Sequence, residues 1–197
     1  MMGLDGDSGL LLSAVDRPEF VREMVEHFSE LGCLIAKKVC QDAKIDVVMI
    51  GSDNLPIIGP NLIAELFIDA YAAMIETVRA CGVDLVALCG RGDLRPLVER
   101  FHAVGTNGIE FIAQTKDSDT FDDLIARFGN ENFCIGCIDG RVLLGTDSEI
   151  EREVNTKIEL AQKFRLLPSR HITRILPEVR WHKYRHYVEC LRNAIFG

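Results

Sequence analysis

Short β-branched runs alternate with helical stretches along almost the whole chain, and this alternation restricts the fold more than any other feature of the sequence. Residues 46–50 read Asp-Val-Val-Met-Ile and stop at Gly51-Ser52. A run this short and this continuously apolar is expected of a strand buried on both faces. Further strands are expected at 84–88, 108–112, 132–136 and 164–167. Apolar residues recur at helical spacing over 17–40, 61–80, 93–104, 119–128, 146–163 and 181–195. In the first of these, Phe20, Val21, Met24, Val25, Phe28, Leu31, Leu34 and Ile35 fall on one stripe. Asp16 with Glu19, and Thr146 with Glu149, have capping-box spacing, and Pro18 and Pro96 suit first helical turns.

Strands separated by single helices run parallel, because each crossover returns the chain to the same end of the sheet. The expected fold class is therefore α/β, an incomplete (β/α)8 TIM barrel with about five parallel strands alternating with helices, in a single domain over residues 1–197. A doubly wound sheet satisfies the same alternation, but Gly51-Ser52-Asp53-Asn54-Leu55-Pro56 is not a dinucleotide-binding fingerprint. Residues 1–15 begin small and polar and are expected to be a poorly ordered loop. In the closing helix, Trp181, Tyr184 and Val188 are expected on the packed side.

Bulk properties narrow the function classes. With 48% hydrophobic and 26% charged residues the chain has the balance of a folded globular protein. A net charge of −8 argues against a nucleic-acid partner, which needs a basic face, but leaves room for a local cationic pocket. No apolar run reaches the roughly 18 residues of a membrane span, so no membrane partner is expected. The seven cysteines are scattered and no export signal precedes them, so reduced thiols and a cytoplasmic location are expected.

In a parallel barrel, chemistry sits where strands end and βα loops begin. Read in that way, the strand ends offer Asp53, then Cys89 and Arg91, then Glu110, then Cys137, Asp139 and Arg141, and finally His171. Carboxylates, arginines, a thiol and an imidazole on one rim would bind a small carboxylated molecule through bidentate contacts, or hold a metal. Each residue also has a plainer role. Asp53 suits an Asx turn, Cys89 a small buried hydrophobe, Asp93 the N-cap of the helix that follows, and Asp139 with Arg141 a loop-pinning pair. Glu110 interrupts an apolar strand, where a carboxylate is either paired or functional. Cys134-Ile135-Gly136-Cys137 has the spacing of a redox or zinc pair, but it spans a strand end and has no second pair to match it.

Residues 86–98, Val-Ala-Leu-Cys-Gly-Arg-Gly-Asp-Leu-Arg-Pro-Leu-Val, resemble a strand–loop–helix segment of the uroporphyrinogen decarboxylase superfamily, including its cobamide-linked methyltransferase-like branch. Residues 46–53, Gly108-Ile109-Glu110, residues 138–149, Pro168-Ser169-Arg170-His171-Ile172 and residues 181–192 resemble further family segments in order. The resemblance implies a (β/α)8 barrel with Asp53, Glu110, Asp139 and His171 at the pocket mouth as catalytic candidates. Arg91, Arg141 and Cys89 would bind substrate. It implies a carboxy-lyase acting on a carboxylated tetrapyrrole or a related carboxylated substrate, with no cofactor for the decarboxylation.

Two alternatives accompany this reading. A cobamide-dependent methyltransferase-like protein would need zinc and a corrinoid. Cys89 stands where that branch has histidine, and Arg91 where it has cysteine or aspartate, so zinc would fall to Cys89, Cys137 and His171. The resemblance begins at about residue 15, without the family's first strands. A truncated, non-catalytic paralogue, or a half-barrel completed by a partner chain or a second copy, is the other alternative.

Overall fold

The computed structural model describes residues 2–51, 55–90, 94–111, 133–136, 138, 140–163, 166–168 and 175–197. Two compact units divide the chain, Met1–Gly108 and Ile109–Gly197. In order, the elements are α1 (Met2–Asp16), α2 (Pro18–Asp42), β1 (Val47–Gly51), α3 (Leu55–Ile58), α4 (Pro60–Leu66), α5 (Ile68–Ala80), β2 (Leu85–Gly90), α6 (Arg95–Ala103), β3 (Gly108–Phe111), β4 (Phe133–Gly136), a 3-10 helix (Gly140–Leu144), α7 (Asp147–Lys163), β5 (Leu166–Pro168) and α8 (Trp181–Phe196). The helix expected at 119–128 lies outside the described residues.

In the first unit, β1 and β2 pair in parallel, with Val47 opposite Leu85 and Gly51 opposite Cys89. β2 is covered on both faces: Val86, Ala87 and Leu88 are buried. β1 is not, contrary to expectation. Val48 and Ile50 face a cluster with Ile75 and Val78 of α5 and with Val83 and Val86. The period of two then turns Met49 to the opposite face, where it is 47% exposed.

The packed face of α2 also differs from the expected stripe. Val21, Val25 and Ser29 are buried, while Phe20, Leu31, Leu34 and Ile35 are exposed. Close approach to α5 selects this face. Ser29 Oγ donates to the Ala70 carbonyl at 3.1 Å, and a Cβ at Gly32 would stand 3.0 Å from the Met74 sulfur. The helical span expected at 61–80 breaks at Phe67, which leaves helical geometry at φ −125° and is buried. Burying that ring outweighs continuing one helix.

The amino end of the sheet is tied down by side chains. Asn107 Oδ1 accepts from Val86 N at 2.9 Å, its Nδ2 donates to the Asp84 carbonyl at 2.8 Å, and its own N–H donates to Val86 O at 2.9 Å. Arg79, in the last turn of α5, donates from Nη2 to the Gly105 carbonyl at 2.6 Å.

Residues 1–15 are expected to be a loop, but Met2–Asp16 is helical. Leu10 and Ala14, one turn apart, are both buried and give the helix an inward face that Gly3, Gly6 and Gly9 obscure in the sequence. For the same reason the first capping box does not form. Asp16 closes α1, Arg17 occupies the N-cap of α2, and Glu19 pairs with Arg22 at 2.8 Å.

In the second unit, β4 and β5 pair in parallel, with Cys134 opposite Leu166 and Gly136 opposite Pro168. α7 and α8 close over a core of Leu143, Ile150, Val154, Tyr187 and Leu191. Here the second capping box is realised: Thr146 N donates to Glu149 Oε2 at 2.7 Å, and Glu149 N to Thr146 Oγ1 at 3.3 Å. The packed face of α8 runs through Tyr184, Tyr187, Val188 and Leu191. Trp181 is not on it. It is 71% exposed and lies against Tyr184, ring centroids 5.8 Å apart, because the first turn of α8 projects beyond the core.

Among the described residues, four strands thus pair in parallel, two and two, and alternate with helices. This is the α/β repeat from which (β/α) barrels are built, and it fits an incomplete set of barrel strands.

Candidate functional site

Parallel pairing brings carboxyl ends together, and in the first unit it sets Gly51 beside Cys89. Gly51 has φ +149°, a conformation side chains disfavour, and a Cβ there would collide with the Cys89 carbonyl oxygen. Backbone meets backbone at this point, so β1 and β2 end in one step. The half-buried Cys89 is the last residue but one of β2.

Tyr71, in the first turn of α5, adds a group that the sequence reading did not single out. Its ring packs edge-on against Phe101, 4.9 Å between centroids. Burial, reinforced by the neighbouring Cys89, pushes the phenol up to about 12. It therefore stays protonated at neutral pH and is an O–H donor close to Cys89. The signal was a single tyrosine on the same helical face as Met74, Ile75 and Val78, which reads as core and gives no hint of the strand end it approaches.

In the second unit, Glu110 lies on β3 and is buried, 4% exposed. A carboxylate so far from solvent needs compensating interactions to remain charged. Arg141 stands on the 3-10 helix between β4 and α7 and is exposed. With Arg152, Glu149, Glu153 and Thr156 it lines a cleft of about 350 Å³. That volume is at the small end of the range for small-molecule sites, about 300–1,000 Å³. The cleft's two guanidinium groups are matched in number by the carboxylates of Glu149 and Glu153.

Asp53, Arg91, Cys137, Asp139 and His171 lie outside the described residues, as does Asp93; the N-cap position of α6 is Leu94. Of the three zinc ligands considered for methyl transfer, only Cys89 is therefore described. Cys134, the first cysteine of the Cys-x-x-Cys spacing, is buried in β4, and burial pushes its thiol up to about 11. Burial disfavours its thiolate.

Parallel strands alternating with helices, with the chemistry gathered at strand ends, define the class of (β/α)-barrel proteins. The family model described as uroporphyrinogen decarboxylase (URO-D) matches residues 2–193, nearly the full length, and the chain belongs to that family, whose fold is a TIM barrel. No curated protein matches the chain. Among the described residues, no helix is long and apolar enough to cross a membrane.

Proposed function

We propose that this chain is a uroporphyrinogen decarboxylase-like carboxy-lyase acting on a carboxylated tetrapyrrole or a related carboxylated small molecule. Family membership over residues 2–193 is the observation that carries the reading. The buried carboxylate Glu110 on β3 is in keeping with it.

Loss of CO2 from a pyrrole acetate proceeds through a protonated pyrrole ring. CO2 leaves, the side-chain carbon takes a proton where the carboxylate left, and the ring gives its own proton back, leaving a methyl group. No metal or redox cofactor is required. The protein must supply a negative charge to stabilise the cationic ring, a proton path, and cations that hold the remaining carboxylates. Asp53, Glu110 and Asp139 are assigned to the first task, His171 to the second, and Arg91 and Arg141 to the third.

The test is anaerobic incubation with uroporphyrinogen, following CO2 release and separating the products by their number of carboxylates. Turnover is expected in the wild type, with kcat about 10²–10³-fold lower in Asp53→Asn and Glu110→Gln. Arg91→Gln and Arg141→Gln are expected to raise KM more than they lower kcat. Absence of turnover above the buffer control, by folded protein, would overturn the proposal.

A further inference from the structure

Away from the strand ends, α7 and α8 bring three donors of different type to one point. Glu151 Oε1 lies 3.1 Å from His186 Nε2, and Cys190 Sγ lies 3.5 Å from the same nitrogen. The three ligand atoms fall within 4.8 Å of one another. His186 and Cys190 are four residues apart on α8, so they stand one above the other on a single face, and Glu151 reaches them from α7.

A metal-free cluster does not satisfy this geometry well. A histidine Nε2 carries either one N–H or one lone pair. With the proton it serves Glu151 and leaves the Cys190 thiol only the longer contact to Nδ1, at 3.9 Å. With the lone pair it accepts from the thiol and faces the Glu151 oxygen with negative density. The opposite ring nitrogen, Nδ1, is farther from the sulfur, at 3.9 Å, so it is Nε2 on which both neighbours converge. A cation among the three atoms removes the conflict. Zinc bonds of about 2.0 Å to nitrogen and oxygen and about 2.3 Å to sulfur make tetrahedral edges of about 3.3 Å for N···O and about 3.6 Å for N···S. The observed 3.1 and 3.5 Å are close to these two edges, and the third, between the Glu151 oxygen and the Cys190 sulfur, is at most 4.8 Å.

The backbone that carries the donors is packed, and the Glu151 side chain itself is half-exposed. Each donor is next in sequence to a fully buried side chain: Glu151 to Ile150, His186 to Tyr187, and Cys190 to Leu191. The neighbouring charges are already engaged. Asp147 bonds Lys183 at 2.8 Å, and Glu189 pairs with Arg185 at 3.6 Å. Glu151 is the carboxylate turned toward the imidazole.

We propose that Glu151, His186 and Cys190 form a binding site for a zinc ion, with water in the fourth position, which clamps α7 to α8. A mixed thiolate, imidazole and carboxylate set suits zinc over calcium or magnesium, which favour oxygen alone. On binding, the Cys190 thiol gives up its proton to solvent and the thiolate bonds the metal. The site is independent of the decarboxylase reading.

Chelator-treated full-length protein, kept reduced and freed of chelator, is titrated with cobalt(II) as a spectroscopic substitute and then with zinc. One equivalent of cobalt is expected to give tetrahedral visible bands and a thiolate-to-cobalt band, both displaced by zinc. Cys190→Ser abolishes the thiolate band. His186→Ala and Glu151→Gln weaken binding by at least about tenfold, since even outer-shell changes cost that much. The double variant Cys89→Ser/Cys137→Ser keeps the band, which separates this site from a strand-end zinc. Zinc also raises the wild-type melting temperature reversibly with chelator, but not that of Cys190→Ser, whose fold is checked by circular dichroism. A missing thiolate band, one that survives Cys190→Ser, or one lost in the Cys89/Cys137 double variant would overturn the proposal.

Discussion

The two ends of the β1–β2 pair are held by different means. At the amino end, side chains do the holding: Asn107 bonds Val86 and Asp84 on both sides of the β2 start, and Arg79 ties α5 to the Gly105 turn. At the carboxyl end the backbone does it, through the approach of Gly51 to the Cys89 carbonyl, with the Tyr71 phenol nearby. In a (β/α) unit the carboxyl end is the end that meets substrate. Polar anchors at the amino end leave the other end free to present groups for chemistry. Damage at the two ends should therefore have different consequences.

The largest effect is expected from Gly51→Ala. The added Cβ has no room against the Cys89 carbonyl, and φ +149° strains any residue but glycine. Strain and overpacking together cost about 3 kcal/mol or more. Urea denaturation of wild type and variant measures this, and a loss below about 1 kcal/mol would mean that the two strands can part without penalty. Next comes Asn107→Ala, which deprives the Val86 N–H of its side-chain acceptor and should cost about 2 kcal/mol. The comparison is sharpest here. Asn107→Ala should lower stability yet leave decarboxylation per folded molecule unchanged, whereas Gly51→Ala should lower both.

Which of these features could be read from the sequence follows from how each is encoded. The strands were legible because β-branched runs between helices admit few other readings, and the Thr146–Glu149 box because both its bonds are local. Glu110 was legible as a carboxylate out of place in an apolar run. Residues 2–16 were not, because three glycines hide a helix whose inward residues, Leu10 and Ala14, matter only once α2 is beside them. Phe67 breaks a helix that its periodicity would continue. Tyr71, and Glu151 beside His186 and Cys190, depend on contacts between elements distant in sequence; only the i, i+4 spacing of His186 and Cys190 is local.

A smaller effect tests the carboxyl end by pH. The Tyr71 phenol is raised from its ordinary value of 10.0 to about 12, first by burial and then by Cys89. A group whose folded value is raised adds stability that is complete below its unfolded value and is lost as pH rises through the folded one. Wild-type stability should thus fall more steeply than that of Tyr71→Phe as pH rises from about 10 to about 12. Parallel alkaline curves for the two proteins would remove Tyr71 from the strand-end environment described above.

The smallest effect concerns the start of α7, which is held by side chains like the amino end of the sheet, but at an exposed position. Thr146→Ala removes a cap and should cost about 1 kcal/mol. Its pH dependence identifies the partner. Hydrogen bonds from the Thr146 backbone and hydroxyl hold the Glu149 carboxyl below its usual range, and a bond from Lys183 does the same for Asp147. Depressed carboxylates contribute above their unfolded value, about 4, and that contribution disappears as pH falls through the lower folded value. The difference in melting temperature between wild type and Glu149→Gln should therefore be full near neutral pH and shrink in acid, while Asp147 continues to titrate in both. If the difference persists unchanged in acid, the neutral carboxyl caps α7 as well as the anion does, and the charge of Glu149 adds nothing to the hydrogen bonds.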